Sequence, residues 1–298
     1  MYASCRSLWR TRPRTDQGPS GPRQSGRLGP SGPRQSGRLG PSGPQQSGRL
    51  GPSGPQQSGT QGPSGPRQSG VWVQVAGVDG CRGGWVVVTA PIAGGTATVE
   101  RLVRLDTVIE RVRCGELRAA GIDMPIGMPA HTRRASDAQL RAHLGARRSS
   151  VFPTPPRVVL DAGDYREALT LTRDATGVGL SKQSWNLVDK IRDLDALMTP
   201  DLQPRVSEAH PESSFAELAG RPLATRKSTR DGRDERTRLL VPSFPDVAEH
   251  LDRHPAIAVD VLDAFAAAWT ARRIAAGSAR WFGDDERDAR GLRMTVAV

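Results

Sequence analysis

The stretch Ala76-Gly-Val-Asp-Gly80, continued after Cys81 by Arg82-Gly-Gly-Trp-Val-Val-Val88, decides how this chain folds. An apolar run ends in one carboxylate, glycines make a turn, and a second apolar run begins, which predicts a β-hairpin over Val71–Asp79 and Gly84–Ala90. A carboxylate at the rim of a sheet is costly to hold in low dielectric unless a partner offsets it, and a divalent cation is one such partner. Other acids recur in similar settings: Asp123 after Leu117-Arg-Ala-Ala-Gly-Ile122, Glu208 after Arg205-Val-Ser, and Asp260 with Asp263 in an alanine-rich run.

Working outward, Thr96–Arg104 reads as a third strand and Asp106–Arg113 as a short helix with Asp106 at its N-cap. Leu117–Asp123 reads as a fourth strand, stopped by Pro125 and Pro129. Three hairpin-connected strands, a helix and a further strand predict a mixed α/β sheet. Helices follow over Asp137–Leu144, Tyr165–Arg173 and Trp185–Met198, the last with Trp185, Val188, Ile191, Leu194 and Leu197 at near-helical spacing. Val206–Ala209 is a short strand, Arg221–Arg238 a charged loop plus helix, and Ile257–Ala276 a buried helix. Met294–Val298 is read as a last, edge strand. Trp85, Trp185, Trp269 and Cys81 are read as core packing.

Residues 1–70 differ from everything after them. From Gly18 they carry an eleven-residue repeat, Gly-Pro-Ser-Gly-Pro-(Arg/Gln)-Gln-Ser-Gly-Arg-Leu, with no aromatic or β-branched residue in the unit. Such a unit buries no face, so the segment reads as a disordered tail ahead of one folded domain, 71–298, with a helical insertion at about 130–204. Ten of the 42 basic residues lie in 1–70 against a single acid, Asp16, so this segment carries +9 of the net +11. The folded part is nearly neutral, and the chain's basicity does not by itself make it a nucleic-acid binder.

The three cysteines form no paired framework, which argues against structural zinc and fits a reducing, cytoplasmic setting. The first ten residues lack the apolar core of a signal peptide, and Ile257–Ala276 holds Asp260, Asp263, Arg272 and Arg273, too many charges for a membrane span. No membrane association is expected.

Asp260 and Asp263 stand three apart on one helix face. If that face lies over the strand ends carrying Asp79 and Asp123, the acids form a set of hard oxygen ligands suited to Mg²⁺ or Mn²⁺. Two such ions about 4 Å apart activate a water and stabilise the leaving oxygen of a phosphodiester. Arg148 and Lys182, in Ser/Pro/Trp-rich segments, are candidate phosphate contacts. The arginines of 221–238 interleave with Asp231, Asp234 and Glu235 and read as solvated surface. His210 is balanced between a functional and a satisfied buried imidazole, and Glu212 suits the start of a following helix.

At these residues a family resemblance emerges. Gly77-Val-Asp-Gly-Cys-Arg-Gly-Gly-Trp85, Ile122-Asp-Met-Pro-Ile-Gly127, Arg147-Arg-Ser-Ser-Val-Phe-Pro153, Gly179-Leu-Ser-Lys-Gln-Ser-Trp185, Glu208-Ala-His-Pro-Glu212 and Asp260-Val-Leu-Asp-Ala264 together resemble an uncharacterised-domain family of predicted RNase H-like nucleases, related to RuvC. The resemblance spans roughly 75–298. It implies an RNase H-like mixed sheet flanked by helices, with metal-binding acids on the first strand, the fourth strand and the last helix. By that resemblance Asp79, Asp123, Asp260 and Asp263 are the ligand and catalytic positions, with Glu208 as an additional one. The implied activity is metal-dependent hydrolysis of DNA or RNA by a two-metal carboxylate mechanism. Two other readings stay open at this point: an ATP-binding or phosphotransfer protein on the same fold, since Val78-Asp-Gly-Cys-Arg-Gly-Gly84 loosely resembles its phosphate-holding turn, and a non-catalytic nucleic-acid-binding module.

Overall fold

The structure, a computed structural model, describes residues 73–298. The repeat segment 1–70 lies outside the described residues.

β1 (Gln74–Cys81) and β2 (Gly84–Pro91) form the predicted hairpin, with Asp79 opposite Val86. β3 (Thr98–Leu102) pairs antiparallel with β2. α1 (Asp106–Arg113) leads to β4 (Leu117–Ile122), which lies parallel to β1 with Val78 opposite Ile122. Between β4 and β5 (Val206–Ala209) the chain runs through α2 (Ala135–Leu144), α3 (Tyr165–Thr176), α4 (Lys182–Asn186) and α5 (Val188–Leu197). α6 (Pro211–Ala219), α7 (Arg230–Leu240), α8 (Val247–Arg253) and α9 (Ala258–Ala276) follow, then β6 (Trp281–Phe282) and β7 (Val296–Ala297). Among the described residues the strands make one sheet in the order β3-β2-β1-β4-β5-β7-β6. The fold class expected from the sequence, a mixed α/β sheet flanked by helices, is observed.

Strand alternation divides the core in two. Ala76, Val78, Ala120, Ile122 and Val206 face one side, against Val108, Ile109 and Val112 of α1 and Ile191 and Leu194 of α5. Val86 and Val88 face the other side, against Val261, Leu262, Phe265 and Ala268 of α9. On this second side α9 lies on the strands almost without intervening side chains. A Cβ on Gly77 would fall 2.0 Å from the Ala268 nitrogen and 2.1 Å from the Ala264 oxygen, and one on Gly121 2.5 Å from the Ala267 oxygen. These are backbone atoms that cannot swing aside, so glycine in the strands and alanine in the helix are joint requirements of the close approach. That approach sets how far the first turns of α9 stand from the ends of β1 and β4.

Three local expectations are corrected. Asp106 is not the N-cap of α1: Leu105 occupies that place without a side-chain bond, and Asp106, the first helical residue, pairs with Arg104. The helix expected over Trp185–Met198 is broken at Leu187, whose N–H bonds the Ser184 carbonyl in a tighter turn. The break lets Trp185 pack beside Tyr165 while Ile191 and Leu194 reach the sheet. The C-terminal strand is not an edge: β7 lies between β5 and β6, and β6 closes that side of the sheet. No helix among the described residues is long and apolar enough to cross a membrane.

Candidate metal centre

Asp79 and Asp123 each sit one residue beyond the paired positions Val78 and Ile122 of neighbouring parallel strands. Since Val78 and Ile122 face the α1 side, alternation turns both aspartates to the α9 side, in step with Gly77 and Gly121. The backbone fixes them locally: Gly80 N–H donates to Asp79 Oδ1 at 2.7 Å, and Asp123 N–H donates to the Val78 carbonyl at 2.8 Å. Asp263 descends from α9 onto the same point. One oxygen from each of Asp79, Asp123 and Asp263 lies within 4.8 Å of the others. Acids separated by up to 184 positions in the chain thus converge at one rim of the sheet.

The electrostatics of this group are strained. Burial, then the charges of Asp123 and Asp263, push the Asp79 carboxyl well above the usual range. Burial and Asp263 raise Asp123 to about 7, and burial raises Asp263 despite the lysine beside it. That lysine is Lys227, on the loop between α6 and α7, whose ammonium donates to Asp263 Oδ2. Burial works against the lysine's charge, but Asp263, Asp123 and Asp79 prevail and raise its pKa.

The remaining candidates occupy different surroundings. Asp260, one turn nearer the start of α9, stands outside the group of three. Its carboxyl is raised by burial and opposed by the charges of Lys227, Arg101 and Lys190. Glu208 is opposite Ile122 on β5 and faces the other way. It is bound bidentately by the buried Arg134, at 2.6 and 2.8 Å, and accepts from Ile126 N–H at 2.8 Å. Arg134 also holds Asp137, at 2.6 and 3.0 Å. Burial still raises Glu208, with Arg134 pulling it back. Arg148 is exposed on the 3-10 turn Gly145–Ser150, whereas its neighbour Arg147 points inward to Glu212 at 3.1 Å. Lys182, exposed on α4, places its ammonium over the Tyr165 ring at 4.1 Å and does not line the cleft. His210 caps α6, its Nδ1 accepting from Ser213 N–H at 3.2 Å, and desolvation lowers its pKa.

Asp79 and Asp123 line a cleft of about 210 Å³. Asp79, Asp123, Lys227, Arg147 and His210 share its polar wall with Arg134, Asp137, Glu208 and Glu212, and Met124, Pro125 and Phe152 make much of its apolar one. A larger hollow of about 910 Å³ lies at the opposite end of the sheet, by Pro204 before β5 and Gly277 after α9, away from the carboxylates.

Sequence reasoning missed Lys227, Arg134, Asp137 and Arg236. The reading of 221–238 as solvated surface fails at two points: Lys227 reaches the acids, and Arg236, fully buried, donates to both oxygens of Glu212 at 2.8 Å. The available signal was Gly232 inside α7. A Cβ there would lie 1.9 Å from the Arg226 carbonyl, so the glycine marks a loop pressed onto its helix.

Fold and centre together define a mixed α/β protein with a buried acidic cluster able to bind a metal ion. The chain belongs to the family described as "Protein of unknown function (DUF429)", whose model matches residues 77–287. No curated protein and no solved structure matches the chain.

Proposed function

We propose that this protein is a divalent-cation-dependent nuclease, hydrolysing phosphodiester bonds of nucleic acid at the Asp79–Asp123–Asp263 centre. The convergence of these three carboxylates, two buried and one half-buried, within 4.8 Å carries the reading. Three acids raised together are costly to keep ionised, and a hard cation such as Mg²⁺ or Mn²⁺ offsets that cost while matching their oxygen donors. When bound, the cation supplies Lewis-acid stabilisation of phosphoryl oxygens and a more acidic water.

The chain's own residues do the rest. Asp79 and Asp263 are the buried ligands, held by Gly80 N–H and Lys227. Asp123, the more accessible carboxylate, would complete the ligand set from the open side of the cleft. Arg147 and Lys227 place positive charge in the cleft wall where a phosphate would enter. At the β1–β2 turn, exposed Arg82 accepts through its carbonyl from exposed Arg101 at 3.1 Å, a pair of charges open to a polyanion. Phe152, 41% exposed in the cleft wall, offers a face to an unstacked base.

The test is cleavage of labelled single- and double-stranded DNA, RNA and hybrid substrates with Mg²⁺ or Mn²⁺, beside an EDTA control. Cleavage should require the cation and fall at least ~100-fold in Asp79→Asn, since the electrostatic stabilisation lost is of the order of several kcal/mol. Activity surviving that substitution, or chelation, refutes the mechanism.

A further inference from the structure

We propose that this centre takes a single divalent cation and that the ammonium of Lys227 stands in place of a second. The inference rests on the reading of Asp79, Asp123 and Asp263 as cation ligands, and it departs from the two-ion arrangement implied by the family resemblance.

Charge gives the first argument. Three ionised carboxylates carry three negative charges, and Lys227, bonded to Asp263 Oδ2, cancels one. One divalent ion neutralises the remainder. A second would leave two uncompensated positive charges in a partly buried site, before any substrate arrives, and uncompensated charge in low dielectric is expensive.

Ligand supply gives the second. Asp263 Oδ2 already accepts from Lys227 and Asp79 Oδ1 from Gly80 N–H. Asp260, the acid that a second ion would need, stands outside the convergent group and faces the positive charges of Lys227 first, then Arg101 and Lys190.

Although its side chain is half exposed, Lys227 is tethered through its neighbours. The residues on both sides of it are anchored. Thr229 Oγ1 donates to the Arg226 carbonyl at 2.8 Å and accepts from Gly232 N–H at 3.1 Å. Gly232 lets that carbonyl press against α7. Arg236 reaches the Thr225 carbonyl at 3.3 Å while gripping Glu212. A lysine on a loop tied on both sides to α7, through Thr225 and Arg226, stays with Asp263 when a cation enters. It is therefore a positioning and charge-setting residue of the centre.

Titration of the full chain with Mn²⁺ at neutral pH, by calorimetry and by electron paramagnetic resonance of the free ion, tests this directly. The wild type should bind one ion per chain at the centre and lose it in Asp79→Asn. Lys227→Met should take up a second ion, Lys227→Gln should do the same, and Lys227→Arg should keep one. Two ions in the wild type overturn the proposal whatever the variants do, while leaving the cation-centre reading intact. One ion of unchanged affinity in both Lys227→Met and Lys227→Gln overturns it as well. No bound Mn²⁺ in the wild type overturns the cation centre itself, and this proposal with it.

Discussion

Two clusters of buried charge stand a few residues apart at the same end of the sheet, and they are built to opposite rules. In one, Arg134 sits between Glu208 and Asp137 with its bonds to them at 2.6–3.0 Å, while Ile126 N–H also donates to Glu208 Oε2 and Thr154 N–H to the outer oxygen of Asp137, each at 2.8 Å. In the other, Asp79, Asp123 and Asp263 face one another and share one half-exposed lysine. Glu208 and Asp137 are buried acids as much as Asp79 is, so burial alone does not separate structure from function. Compensation does. A network whose members are all satisfied fixes the loop after β4 against β5, whereas an under-compensated one is a place held ready for an ion.

The comparison breaks most violently at Arg134. Arg134→Met would leave Glu208 and Asp137 buried without their partner, and removing one member of a buried pair costs about 3–5 kcal/mol. Urea denaturation should show the loss as a lowered midpoint at unchanged slope. A variant as stable as the wild type would mean that water reaches these acids freely and that the two clusters do not differ as described.

The opposite sign is expected, with smaller size, at the other cluster. Asp79→Asn removes a charge that burial and two acids disfavour. Without divalent cations and near pH 8 it should stabilise the protein by about 2 kcal/mol, within the range seen when a poorly compensated buried charge is replaced. In thermal melts with EDTA the variant should melt higher than the wild type, and Mn²⁺ should close or reverse that gap by stabilising only the wild type. A destabilised Asp79→Asn would show that the carboxylate is a structural partner.

How much of this could be read in the chain follows from the range of the interactions. Asp79 and Asp123 were legible because each ends an apolar strand at a glycine or proline, a purely local pattern. The i, i+3 spacing placed Asp260 and Asp263 on one helix face but could not choose between them. That choice depends on the height at which α9 rests on Gly77 and Gly121, a contact between segments about 140–190 residues apart. Lys227 was hidden among arginines most of which face solvent, and only Gly232, pressed by the Arg226 carbonyl, marked its loop as held against the fold. β6 and β7, two residues each, are too short to carry any period, so the far edge of the sheet was misplaced.

The finest discrimination between the clusters is their response to pH. Asp123 has a folded-state pKa of about 7 against 3.8 for the free side chain. Between those values the folded protein holds more protons than the unfolded chain at this residue, so stability falls as pH rises. The penalty is absent below the unfolded value, grows through the interval and is complete above the folded one. Asp123 is partly open to solvent and shares its ionisation with Asp79, so the effect between pH 5 and 8 should be modest, about 1 kcal/mol. Because Glu208, Asp79 and Asp263 are raised too, the informative quantity is the difference between proteins rather than the wild-type curve itself. Denaturation midpoints measured with EDTA across this range should decline for the wild type more steeply than for Asp123→Asn, the two curves meeting at the acid end. Superimposable curves would show that the carboxylates ionise without cost, and the cluster would then have no electrostatic reason to take up a cation.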